Sequence, residues 1–116
     1  MPDIVNYNLS NFEGYKVITI KGNISINTTS SIIEVIEEIT DQSSLIINME
    51  NISLLTSSGM DTLIEISQNA YSKEKRIVFC KVRQEIKDMF LTFSVSHLIL
   101  FADSIEEAAM KIRFYT

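Results

Sequence analysis

A single cysteine and a single histidine narrow the chemistry of this 116-residue chain before any motif is sought. Cys80 has no partner for an internal disulfide, and inside the apolar run Ile77-Val78-Phe79-Cys80 it reads as a small buried hydrophobe. His97 stands alone, so neither a Ser–His pair nor a histidine-based metal site can be assembled. Only three glycines occur, Gly14, Gly22 and Gly59, which excludes both the phosphate-binding G-x-x-x-x-G-K-[ST] loop and the dinucleotide G-x-G-x-x-G turn. No metal or cofactor is therefore expected, and no enzyme. Positive charge is scarce as well. The net charge is -5, and the densest basic cluster, Lys73, Lys75 and Arg76, is interrupted by Glu74. A nucleic acid or an anionic membrane needs a basic patch, so neither is an expected partner. The N-terminus lacks the basic and apolar segments of a signal peptide, and no apolar run is long enough to span a bilayer. These features predict a soluble, cytoplasmic chain.

What is present is an apolar content of 46%, enough for one domain of this length to build a core without staples. Residues Asp3–Ser10 alternate, with Val5, Tyr7 and Leu9 on one side, and predict a half-buried strand. Asn11-Phe12-Glu13-Gly14 supplies turn residues before a second β-rich run, Tyr15–Lys21, which closes an antiparallel hairpin and is broken by Gly22 and Asn23. Thr28 is the expected cap of a first helix carrying Ile32, Ile33, Val35, Ile36 and Ile39, with Glu34, Glu37 and Glu38 in water. Leu45–Met49 is a short continuous apolar run, as a central parallel strand covered on both faces requires.

A second helix, carrying Met60, Leu63, Ile64, Ser67, Ala70 and Tyr71, extends to about Ser72. Arg76–Val82 is the next strand. Glu85–Phe93 forms a helix with Ile86, Met89, Phe90 and Phe93 on one stripe, and His97–Phe101 is the last strand. Asp103 and Glu106 have capping-box spacing ahead of a final amphipathic helix with Ile105, Ala108, Ala109 and Ile112. The predicted order is ββαβαβαβα, an α/β fold in which one mostly parallel sheet with an N-terminal antiparallel hairpin accounts for residues 1–116.

The stretch Leu54-Leu55-Thr56-Ser57-Ser58-Gly59-Met60 joins the central strand to the second helix. Hydroxyl side chains there meet unpaired backbone N–H groups and the positive end of the helix dipole, where a phosphate ester would be stabilised. Capping alone also explains Thr and Ser at such a junction. A phospho-accepting aspartate would need an acidic pair after the first strand of the parallel set, where Asn23 and Ser25 stand instead.

Taken with their order, these segments resemble the STAS domain of bacterial anti-sigma factor antagonists. Gly22-Asn23-Ile24-Ser25 falls at that family's G-E-L-D, and Thr56-Ser57-Ser58-Gly59-Met60 at its D-S-[ST]-G-[LI]. The strands Leu45–Met49 and Ile77–Val82 and the closing Asp103–Ala108 extend the likeness over nearly the whole chain. The resemblance implies a switch. Ser57, with Ser58 as fallback, would be phosphorylated by an anti-sigma factor that is also a serine kinase, and a phosphatase would reset it. It further implies a partner surface of Asn23, Ser25, Leu54, Leu55, Thr56, Ser57, Ser58, Gly59, Met60 and Asp61. Three departures stand out: Thr56 replaces the motif aspartate, Asp61 replaces a frequent glycine, and Asn23 and Ser25 replace acidic residues. A STAS interaction module that is never phosphorylated is the alternative.

Overall fold

The computed structural model describes residues 5–92 and 99–115. Its elements are β1 (Val5–Phe12), β2 (Tyr15–Ile24), α1 (Thr29–Thr40), β3 (Leu45–Leu55), α2 (Ser57–Ser72), β4 (Ile77–Cys80), α3 (Gln84–Leu91), β5 (Leu100–Ala102) and α4 (Ile105–Tyr115). This is the expected ββαβαβαβα order. The strands lie side by side in the order β1-β2-β3-β4-β5, antiparallel for β1 and β2 and parallel from β2 onward. His97 and Phe93, named above, lie outside the described residues, as does Asp3.

Alternation along the central strands divides the core in two, because successive side chains point to opposite faces. Ile18, Ile20, Leu45, Ile47, Met49 and Phe79 pack with α1, α2 and α3 on one face. Val17, Ile46, Val78, Cys80 and Ala102 pack on the other against Ala108, Ala109 and Ile112 of α4. The first five residues of β3 are therefore all buried, as their unbroken apolar run requires. The β-branched helix α1 is held by this burial: Ile32 and Ile36 face the sheet, and the buried Thr40 hydroxyl donates to the Ile36 carbonyl at 2.9 Å.

Cys80 is fully buried here, and burial raises its thiol pKa from 9.0 to about 11. Below pH 9 the thiol is neutral in both folded and unfolded chains. Between pH 9 and about 11 only the unfolded thiol ionises, so folding stability is expected to decline across that window. Urea melts at successive pH values, with Cys80→Ala as reference, measure this; an equal decline in both proteins would contradict it.

Several boundaries differ from the expectation, each for a physical reason. The hairpin turn is only Glu13-Gly14, both at positive φ (51° and 87°), so Asn11 and Phe12 remain in β1. Strand β1 is exposed along most of its length, not half-buried, because among the described residues it is an edge with a neighbour on one side only. Gly22 and Asn23 do not end β2. Register shifts beside them, with Gly22 at φ 111°, carry the strand on to Ile24 against Leu55. Strand β3 likewise runs six residues past Met49 to Leu55, because β2 continues to pair with it. At α4 the box sits one residue later than Asp103 and Glu106: the Glu107 N–H donates to Ser104 Oγ at 3.1 Å, and Glu107 Oε1 accepts from the Asp103 N–H at 3.4 Å.

Candidate functional site

The junction between β3 and α2 is organised by one carbonyl, that of Ile24 at the end of β2. It accepts from the Thr56 N–H at 3.1 Å and from Thr56 Oγ1 at 3.4 Å. Thr56 has extended backbone (φ −82°, ψ 166°) and occupies the N-cap of α2; its Oγ1 accepts from the Gly59 N–H at 3.1 Å. The same hydroxyl thus caps the helix and ties it to the neighbouring strand. Thr56→Ala removes both bonds and is expected to lower stability by about 1 kcal/mol, a Tm decrease of roughly 4 °C by calorimetry. No change in Tm would show that the hydroxyl contributes nothing here.

Gly59 completes the lock. A Cβ on it would lie 2.4 Å from the Ile24 oxygen and 2.9 Å from the Ile24 carbonyl carbon. Only glycine lets α2 approach the strand this closely. Met60 (0% exposed) and Leu63 then carry the helix into the core.

On the other side of Ile24, the turn leading to α1 is stitched by Thr28. It stands at the expected N-cap position, but its side chain makes no cap bond. Its Oγ1 instead accepts from the Ser25 N–H at 3.0 Å and donates to the Asn23 carbonyl at 2.8 Å. The Ser25 hydroxyl accepts from the Asn27 N–H at 3.3 Å. Asn23 and Ser25 therefore shape a turn beside the junction, with Asn23 half-buried and Ser25 buried.

The ten residues expected at the partner surface separate by depth. Ser57, Ser58, Asp61 and Leu54 are exposed, and Thr56 and Asn23 are partly so. Leu55, Gly59, Met60 and Ser25 are buried, so Leu55 and Met60 support the surface from below and cannot flank Ser57 as contacts. The cause is register: Leu55 pairs with Ile24 on the helix-covered side, and Met60 begins the buried stripe of α2.

Two residues were missed. Ile26 is 74% exposed in the Ser25–Thr28 turn, at the same end of the sheet as the half-exposed Leu54. Its signal in sequence was an isoleucine belonging to no periodic pattern, flanked by Ser25 and Asn27. Arg83 was missed too; its guanidinium donates to the Ser53 carbonyl at 3.5 Å and pairs with Glu85 at 3.1 Å, bringing a cation to this edge.

The electrostatics of the junction are simple. The first turn of α2 contains no acidic residue, so nothing offsets the positive end of the helix there. Ser57 and Ser58 open that turn with exposed side chains. Asp61 follows one turn later. Among the described residues, no group of His, Cys, Asp and Glu could hold a metal ion, and no helix is long and apolar enough to cross a membrane.

The sequence profile of the STAS domain matches residues 6–108. The chain belongs to the STAS domain family. No curated protein matches the sequence. Among solved structures, the chain is similar to an anti-sigma factor antagonist from Mycobacterium paratuberculosis (17% identity, TM-score 0.74, 97% of each chain covered). It is similar to the anti-sigma factor antagonist SpoIIAA in its unphosphorylated form (18% identity, TM-score 0.70, 91% of this chain and 96% of that one). The phosphorylated form of SpoIIAA, a Bacillus cell fate determinant, also superposes, at 19% identity and TM-score 0.70, over 93% of this chain and all of that one. A different context is represented by the murine anion transporter Slc26a9 (15% identity, TM-score 0.75), of which 90% of this STAS chain covers only 18%.

Proposed function

We propose that this STAS protein is an anti-sigma factor antagonist that binds an anti-sigma factor with serine kinase activity and is released when Ser57 is phosphorylated. The observation that carries the reading is the setting of Ser57. Its exposed hydroxyl opens an acid-free helical turn, over a Thr56–Gly59–Ile24 lock that fixes the backbone below it. A phosphate there adds a charge near −2 beside unpaired N–H groups, so the helix end accommodates it without refolding. The contact surface does not accommodate it so well. Ile26 and Leu54 offer apolar anchors, and a dianion among them must be desolvated when a partner covers it. That SpoIIAA has the same fold in both phosphorylation forms supports a switch that works by surface charge. A serine phosphatase would reset the surface, and the cytoplasm is the compartment such partners imply.

The second reading, a STAS interaction module that is never phosphorylated, is favoured by Thr56 and Asp61. The exposed carboxylate of Asp61 stands one helical turn from Ser57 and would repel a phosphate on it. Affinity capture with wild type and Ser57→Asp as parallel baits separates the two. A partner with an ATP-binding kinase domain, held by wild type and lost by Ser57→Asp, supports the switch. The same partners on both baits, none a kinase, would leave the plain module.

A further inference from the structure

Among the described residues, strand β1 has a hydrogen-bonded neighbour on one side only. All eight of its residues pair with β2 in unbroken register, from Val5↔Gly22 to Phe12↔Tyr15. In a two-residue hairpin closed at Phe12↔Tyr15, the alternate residues Val5, Tyr7, Leu9 and Asn11 turn their backbone N–H and C=O groups away from β2. A long row of backbone groups is left facing outward, unpaired by any described strand.

We propose that this edge joins two copies of the chain, β1 against β1 antiparallel about a two-fold axis at Asn8, making one continuous sheet.

Proteins protect such edges with lysine, proline, bulges or brevity. The sequence of β1, VNYNLSNF, contains no charged residue and no proline, and its pairing has no bulge. The opposite edge is protected twice over: β5 is only three residues long, and the Lys111 ammonium donates to the Phe101 carbonyl on it. The contrast matters for what would cover β1. The chain carries a net charge of −5, so two copies repel over most approaches, and β1 offers a strip eight residues long with no charge to oppose contact.

The strand is also self-complementary. With Asn8 opposite Asn8 of the partner subunit, Tyr7 faces Leu9 of the partner subunit and Val5 faces Asn11 of the partner subunit, all on the α1 side of the sheet. Asn6 faces Ser10 of the partner subunit on the other side. Tyr7 and Leu9 are 42% and 49% exposed in the monomer, bordering a groove whose α1 wall is Val35, Glu38 and Ile39, with Lys16 of β2 beside them. Pairing would place aromatic against aliphatic across the seam, a favourable cross-strand combination. Because β5 is closed, a β1–β1 contact ends at two subunits and does not propagate into a fibre.

Sedimentation across about 1 to 500 μM tests this, the range expected for an interface below ~800 Å² per partner. Wild type is expected to pass from monomer to dimer. Leu9→Lys, at a half-exposed site where the fold is spared, should raise the dissociation constant roughly tenfold or more. Asn8→Cys should form an interchain disulfide on air oxidation while Asn6→Cys does not, since only position 8 meets itself on the axis; the buried Cys80 does not compete. Wild type that stays monomeric throughout would overturn the proposal and leave the edge to a strand of another protein. A dimer unaffected by Leu9→Lys, or cross-linked equally at positions 6 and 8, would overturn it as well.

Discussion

Gly59→Ala is expected to lower the Tm by roughly 10 °C, corresponding to about 3 kcal/mol, an unusually large effect for adding one methyl group to a helix. In an ordinary helical position the same change stabilises, because alanine is the better helix former. Here the new Cβ would sit 2.4 Å from the Ile24 oxygen, and the obstacle is backbone that cannot rotate aside. Relief requires α2 to move off β2, which lengthens both bonds between Thr56 and the Ile24 carbonyl and opens the ledge on which Ser57 stands. Thermal denaturation followed by circular dichroism measures the loss. A Tm equal to or above that of wild type would mean that α2 does not approach the strand as closely as described.

The double substitution Ile26→Ala and Leu54→Ala should do the opposite, leaving the fold alone and removing the partner. Both side chains are largely in water, at 74% and 51% exposure, so their loss should move the Tm by no more than about 2 °C. As the proposed apolar anchors of the partner surface, each is expected to contribute about 1.5 kcal/mol or more, so affinity for a captured partner should fall by roughly 100-fold. Titration calorimetry reads this directly. Unchanged affinity would move the binding surface away from this end of the sheet.

Much of this architecture was legible from hydrophobic pattern alone. The buried run Leu45–Met49, the stripe Met60, Leu63, Ile64, Ser67 and Ala70, and the closing Ala108, Ala109 and Ile112 each follow from period or continuity and are buried as expected, whereas Tyr71, expected on the same stripe, is 52% exposed, with the Arg76 guanidinium over its ring. What the pattern could not convey was pairing. Gly22 and Asn23 are turn formers locally, yet β2 passes through them because β3 continues to supply a neighbour as far as Leu55. The same tertiary pairing turned Leu55 inward and Leu54 outward, a distinction that two adjacent leucines do not carry in themselves.

The candidate site was legible in part for a similar reason. Thr56, Ser57 and Ser58 announced a helix start by residue type. Gly59 was visible only as a motif position, whereas its physical requirement is contact with a carbonyl 35 positions earlier in the chain, at Ile24. Ile26 was invisible because an exposed isoleucine in a turn belongs to neither a helical nor a strand period. Thr28 showed that a capping residue at the right place can spend its hydroxyl elsewhere, here on the turn holding Asn23 and Ser25.

The most direct test of the switch is to incubate the protein with its captured ATP-binding partner and Mg-ATP, then locate phosphate by peptide mass spectrometry while following the complex by sedimentation. The account predicts one phosphate, on Ser57, appearing as the complex dissociates, with Ser57→Ala remaining unmodified and bound. Phosphate on another residue, or a complex that persists when Ser57 is phosphorylated, would contradict it.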